Sequence, residues 1–460
     1  MQKRLAIVEF TMSAGGVERV LKGLAGAFLE IPEARDWDIT LLLSRYNSAH
    51  KRVEWPAELT GPGLHVEWMG EENRVSRALD PLAHAQGLFG LSFTRIPGYV
   101  AARTLWKVGP ASLRAALGDR RALISQASRR FDAMLFTYPF WMGAPPLHCP
   151  ALSSPSDFNF KYFLPEGSFR RRIHEKALRS WLERSDRLLV YGQAMAAEVG
   201  RFYPEFADRT FPVPLGVTTG RPDPSPDALA SFRLKRALPD RFALVTGWIT
   251  PHKNPLVVIQ AVAELRRRGV DLPVVFVGPN ATELADGAPP GFNAGYVESV
   301  RAAMREGGLV HGSDILTLGY VRDDELEMLF HLAAVYVFPT LYEGFGLPSL
   351  EATLAGCPAV VSSIPPLLEQ DRVLGGVYRL FEPRDASALA DHLDWVLVHG
   401  DEARATSRAA SSRVTEHYDW RSTARSYLAN VEAVIAGSGA AVTGRRTRTA
   451  EPGGAWTGGA

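Results

Sequence analysis

Cysteine is scarce in this chain: Cys149 and Cys357 are the two in 460 residues, far apart and without metal-type spacing. That excludes a disulfide framework and a cysteine-based zinc module, and fits a reducing compartment. A dominant sign of charge is missing too: 51 Lys and Arg against 50 Asp and Glu leave a net charge of +1. No global attraction to nucleic acid is expected from that balance. Long apolar runs are absent, and none approaches the roughly 18 residues of a membrane-spanning helix. The opening MQKRLAIVEF has a basic tip and a short apolar run, but Glu9 interrupts it and no small-residue cleavage site follows cleanly. It reads as a buried strand rather than a secretion signal, and a cytoplasmic location is expected. The one Asp-x-Asp, Asp36-Trp37-Asp38, precedes the strand ITLLLS and so falls at the amino edge of a sheet, the wrong side for a ligand.

What is present is α/β alternation. LAIVEF, DITLLLS, AMLFTYP and RLLVYG read as strands of a first half, with VERVLKGLAGAFLE as a helix. FALVTGWI, PVVFVGP, ILTLGYV, AVYVFPT and PAVVSS read as strands of a second half, separated by helical patterns. The pattern predicts parallel sheets in two domains, since 460 residues exceed what one core usually serves. A proline-rich stretch, FPVPLGVTTGRPDPSPD, divides them. The expected division is 1–215, 216–416, a C-terminal helix at 417–436 packing back on the first domain, and a Gly-rich disordered tail at 437–460.

Ligands collect at the carboxyl ends of parallel strands, so the turns after strands are the places to look. In TGWITPHKNPLVVIQ, Asn254 reads as an N-cap and Pro255 as the first helical residue. Lys253 then stands beside a helix N-terminus that favours an anion, a credible pyrophosphate clamp or else a solvated lysine. In VFPTLYEGFGLPSLEATLAG, Gly344 and Gly346 loosen the backbone, and Glu343 and Glu351 stand eight positions apart, the second in the first helical turn. A carboxylate accepts two hydroxyls, so one suits a hexose and the other a ribose. In VEFTMSAGGVERVL, Gly15 and Gly16 follow the first strand and bring backbone to the opposite wall of the cleft, though a tight turn explains them equally.

With EGFGLPSLEA, AGGVERVL and GYVRDDELEMLFHLAAVYVFPT, the chain resembles the retaining glycosyltransferases of family 4, which have the GT-B fold of two Rossmann-like domains facing across a cleft. The resemblance covers nearly the whole chain except the tail. It implies Glu343 by the donor sugar, Glu351 by the ribose, and the backbone of Gly344, Phe345, Gly346 and Leu347 by the sugar and phosphates. It also implies base contacts near Tyr320 and Val321, and Lys253 on the diphosphate. Trp248 stands where many members carry an arginine, and His252 beside the lysine matches the pattern of polysaccharide mannosyl- and rhamnosyltransferases. Ser156-Asp157 stands where members usually place a histidine, which makes Ser156, Asp157 and Asn159 the candidates for its catalytic role.

The resemblance implies front-face hexosyl transfer from a nucleoside diphosphate sugar, with no cofactor and no metal, to a glycan or polyprenyl-diphosphate-linked acceptor. The alternative within the same fold is a non-catalytic nucleotide-sugar-binding protein. A dinucleotide enzyme fits less well: GFGLPS matches a fragment of that fingerprint, but the next strand ends at Ser362 and Ser363 rather than at an acid. Residues 87–131 hold Arg95, Arg103, Lys107, Arg114, Arg120, Arg121, Arg129 and Arg130 against one acid, Asp119, and Arg170, Arg171 and Arg172 add a second cluster. These suit peripheral contact with an anionic membrane, or are ordinary solvated helix faces.

Overall fold

The computed structural model describes residues 2–9, 16–44, 54–69, 120–138, 142–218 and 223–441, except 286, 290 and 292. Among these residues two parallel sheets carry the architecture. The first holds β1 (Lys3–Glu9), β2 (Trp37–Ser44), β3 (Leu64–Met69), β4 (Ala133–Phe136), β5 (Ala151–Ser153), β6 (Arg187–Val190) and β7 (Thr210–Pro212), in the order β3-β2-β1-β4-β5-β6-β7. The second holds β8 (Ala243–Thr246), β9 (Val274–Val277), β10 (Ile315–Gly319), β11 (Val335–Phe338), β12 (Ala359–Ser362) and β13 (Arg379–Phe381), in the order β10-β9-β8-β11-β12-β13. The central strands are continuous Val, Leu and Phe runs because helices cover both faces, leaving no solvated side to favour alternation.

Both sheets reverse their strand order beside their first strand, between β1 and β4 and between β8 and β11. Crevices open at such reversals, beyond the carboxyl ends of the strands. The Lys253 turn follows β8 and the Glu343 loop follows β11, so topology sets them side by side although 90 residues separate them.

Helix Gly16–Glu30 buries Val20, Leu21, Leu24, Ala25 and Phe28, the i, i+4 stripe that its sequence carries. The C-terminal helix Trp420–Ala441 lies against it and against β4 and β6, so the end of the chain returns to the first domain. Trp420 fills the space left by two glycines: a Cβ on Gly23 or Gly216 would come within 2.1 or 2.4 Å of it. This helix runs past the expected boundary at 436, because a glycine such as Gly437 costs a helix only about 1 kcal/mol. The rest of the tail lies outside the described residues. Trp37 is buried at the start of β2 and Asp38 stands 3.3 Å from His65, which places the Asp-x-Asp at the amino edge.

Strands β5, β7 and β13, three residues each, carry no clear pattern in sequence and pair because the sheets supply partners. Among the described residues no helix is long and apolar enough to cross a membrane.

Candidate active site

The turn after β8 is a 3₁₀ turn, Pro251–Lys253, leading into helix Pro255–Arg267. Asn254 occupies the N-cap position but does not cap with its side chain. Its backbone is left-handed, φ 54°, and its Nδ2 donates to Pro339 O (3.0 Å) and Pro383 O (2.7 Å). Asn254 therefore ties the turn to the end of β11 instead of satisfying helix N–H groups. His252 O accepts from Leu341 N (2.7 Å) and from Thr340 Oγ1 (3.0 Å), a second tie between the same two segments. The pair of ties places Lys253 Nζ on Glu343 Oε1 as a partly buried ion pair, with the ammonium also over the Phe338 ring.

His252 stands beside Lys253, partly buried. Burial, and then the neighbouring Lys253 charge, push its pKa down to about 3, so its imidazole is neutral at pH 7. Trp248 is half exposed. Gly278 is required at the end of β9 because a Cβ there would stand 1.9 Å from Gly247 O.

The loop after β11 turns at Gly346, φ 96°, where helix Leu347–Leu354 begins. Buried Gln370 holds this loop from below, its Nε2 donating to Phe345 O (2.7 Å) and Gly346 O (3.3 Å). Phe345 and Leu347 are buried beneath the same loop. Glu351 lies in the second turn of that helix, not the first, which takes it away from the helix end and into the interior. Burial raises its carboxyl pKa, partly offset by Arg19. The buried Tyr336 hydroxyl pairs with Thr246 Oγ1 at 2.8 Å. Beyond β10, Val321 is buried and Tyr320 exposed at the rim.

The first domain supplies the opposite wall. A Cβ on Gly344 would stand 1.8 Å from Ser156 O and 3.7 Å from Asp157 Cβ, so the two domains touch at the glycine between Glu343 and Phe345. Ser156 Oγ is buried with no hydrogen-bond partner among the described residues. Asp157 accepts from Asn159 N at 3.0 Å. Its pKa is raised by burial; the Asn159 N–H and Lys253 lower it and Glu343 raises it. Behind it Glu9, fully buried at the end of β1, accepts from Thr137 Oγ1 (2.7 Å), and Tyr138 is held well above the usual phenol range by burial, Asp157 and Glu9. Gly16 opens its helix; Gly15 lies outside the described residues.

Sequence reasoning missed the residues that join the walls. Arg19 reaches from the first domain to Glu351 and Asp323. The Tyr342 hydroxyl accepts from Phe158 N (2.7 Å) and donates to Glu198 (2.6 Å). Glu369 accepts from Gln193 N (2.9 Å) and Ala194 N (2.8 Å) at the start of helix Gln193–Phe202. No local pattern marks these residues, since each partner lies more than 100 positions away. Among the described residues no three His, Cys, Asp or Glu side chains converge as a metal site would require.

Residues 229–413 match the family of glycosyl transferases group 1. With two Rossmann-like sheets and this match spanning the second, the fold is the GT-B fold of glycosyltransferases. More particularly, the chain resembles polysaccharide mannosyltransferases. It is 29% identical over 277 residues to the serotype-specific mannosyltransferase WbdA of Escherichia coli, covering 58% of this chain and 31% of WbdA. It is 28% identical over 256 residues to the O-antigen chain mannosyltransferase B of Escherichia coli, covering 55% of this chain and 61% of that one. Among solved structures, HepE of Anabaena in complex with UDP-glucose superposes with a TM-score of 0.64 at 15% identity, over 94% of this chain and 99% of that one. The chain thus spans about a third of WbdA's length and about three fifths of the other mannosyltransferase's.

Proposed function

We propose that this protein transfers a hexosyl group, mannosyl by its resemblance to WbdA, from a nucleoside diphosphate sugar to a growing glycan or a lipid-linked acceptor, with retention and without a metal. The observation that carries the proposal is the Lys253–Glu343 pair at the β8/β11 reversal, facing Ser156 and Asp157 of the other domain. In the step envisaged, the bond from C1 to the diphosphate oxygen breaks as the acceptor oxygen bonds to C1 on the same face. The acceptor's proton passes to the leaving diphosphate. Negative charge grows on that diphosphate, and Lys253 with the backbone N–H groups at Gly346 and Leu347 is placed to stabilise it. Glu343 receives sugar hydroxyls once Lys253 turns to phosphate, and Glu351 receives the ribose. That HepE is solved with UDP-glucose supports a nucleotide-sugar donor for the shared fold.

The test is a panel of nucleoside diphosphate sugars, read by transfer, slow hydrolysis and thermal shift. Lys253→Ala should lower kcat/KM roughly a hundredfold, with kcat falling as well as binding. Chelator should leave turnover unchanged; loss in EDTA restored by Mn²⁺ would end the metal-free reading. Ser156-Asp157 in place of the family's histidine favours a second reading, a nucleotide-sugar-binding protein without turnover. Ser156→Ala lowering kcat would give that hydroxyl the histidine's place, whereas tight binding with neither transfer nor hydrolysis would favour the binder.

A further inference from the structure

Arg19 carries a charge of the first domain onto two carboxylates of the second. It stands in the first turn of helix Gly16–Glu30. Its Nη1 donates to both oxygens of Glu351, at 2.8 and 2.9 Å, and its Nη2 donates to Asp323 Oδ1 at 2.9 Å. The two carboxylates come from different elements of the second domain, helix Leu347–Leu354 and the first turn of helix Asp323–Leu332. Their environments differ. The Glu351 side chain is about half as exposed as that of Asp323, 24% against 49%. Burial works against the Arg19 charge, and Glu351 and Asp323 together outweigh it.

A carboxylate that receives a ribose must offer its oxygens to two neighbouring hydroxyls. Glu351 offers both oxygens to Arg19. We infer that Arg19 competes with the nucleotide's ribose for Glu351, and so sets the affinity for the donor from the opposite wall of the cleft. This rests on the proposal that Glu351 binds the ribose. Asp323 makes the exchange feasible: when a ribose takes Glu351, the guanidinium keeps a partner 2.9 Å away on an exposed side chain and is not left as an unpaired charge. Neutral hydroxyls then replace a cation on a partly buried carboxylate, and that competition weakens the apparent ribose affinity. The competition acts on the ribose end alone, because Lys253 and Glu343 have no contact with Arg19.

The experiment measures binding by calorimetry to UDP, GDP and inorganic pyrophosphate, for the unaltered protein, Arg19→Ala, Glu351→Gln and the double variant. Arg19→Ala should bind its preferred nucleoside diphosphate about tenfold more tightly, the gain expected where the Arg19-paired carboxylate outnumbers the free one by about ten to one. Pyrophosphate, which has no ribose, should bind both proteins equally. In the Glu351→Gln background the gain from removing Arg19 should vanish, a coupling that the double-mutant cycle reads directly. Arg19→Lys, which keeps the charge but has no second arm to span Glu351 and Asp323, should fall between the two, and serves if Arg19→Ala folds poorly. Unchanged or weaker nucleoside diphosphate binding in Arg19→Ala overturns the inference. So does an equal gain for pyrophosphate, which would make Arg19 a clasp on domain closure instead. If the unaltered protein and Arg19→Ala both bind UDP or GDP with one affinity, the donor reading stands and Arg19's role falls. If neither binds any nucleoside diphosphate, the donor reading falls and takes the inference with it.

Discussion

At the scale of single residues, the site depends on how burial changes chemistry that a sequence shows only as letters. His252 and Lys253 are adjacent, yet one is neutral and the other pairs with a carboxylate, because the imidazole is buried beside an ammonium. The pH dependence follows from the direction of that shift. In the unfolded chain His252 takes a proton near pH 6.5, whereas in the folded protein it does so only near pH 3. Between those values the unfolded state binds the extra proton, so stability falls as pH drops through that window and is fully present above it. Urea midpoints at pH 7.5 and pH 5 should therefore fall less on acidification in His252→Gln than in the unaltered protein. Equal losses in both would show that His252 is not depressed.

At the scale of elements, the turn after β8 and the end of β9 share one backbone contact. Gly247, φ 128°, donates its N–H to Val277 O, and its own carbonyl lies where a Gly278 Cβ would go. Gly278→Ala should push the Lys253 turn away and cost about 1–3 kcal/mol of stability, as overpacking against rigid backbone does. Gly295→Ala is the comparison: nothing lies within 4 Å of its Cβ and it stands inside helix Ala294–Glu306, so it should be neutral or slightly stabilising. Denaturant unfolding of both variants checks the pair. Helix Phe169–Arg184 is the other element with a consequence. Ser168 caps it, and its first turns expose Phe169 (64%) and Ile173 (40%) beside Arg170, Arg171 and Arg172. Sedimentation with vesicles containing anionic lipid should pull the protein down, less so for Phe169→Ser and less at high salt. Arg130 is paired with Glu67 at 2.8 Å. Arg95, Arg103, Lys107 and Arg114 lie outside the described residues.

At the scale of the whole molecule, side chains from one domain complete the elements of the other. Glu369 of the second domain accepts the first two N–H groups of helix Gln193–Phe202 in the first, the arrangement in which a carboxylate best complements a helix N-terminus. Tyr342 bridges to Phe158 and Glu198, and Tyr191, Phe345 and Tyr418 form a chain of rings across the boundary. Glu369→Ala should leave each domain folded but loosen their contact. Small-angle scattering should report a larger radius of gyration, and limited proteolysis faster cleavage near 218–223. Unchanged scattering would mean that the remaining contacts suffice.

The sequence by itself determined the two-domain α/β plan, because apolar runs of strand length alternate with helical stripes, and that pattern depends on neighbours alone. It also marked Lys253, Glu343, Glu351, Gly344 and Gly346, since turn chemistry after a strand is local. Tertiary structure decided the rest. The juxtaposition of Lys253 with Glu343 follows from strand order, and Asn254 became a tie to Pro339 and Pro383 instead of a helix cap because those carbonyls lay in reach. Arg19 read only as a polar residue on a helix, and its partners Glu351 and Asp323 lie more than 300 positions away. A charge acquires a role from what it meets at hydrogen-bonding distance, and such meetings across a cleft leave no period or spacing in the chain.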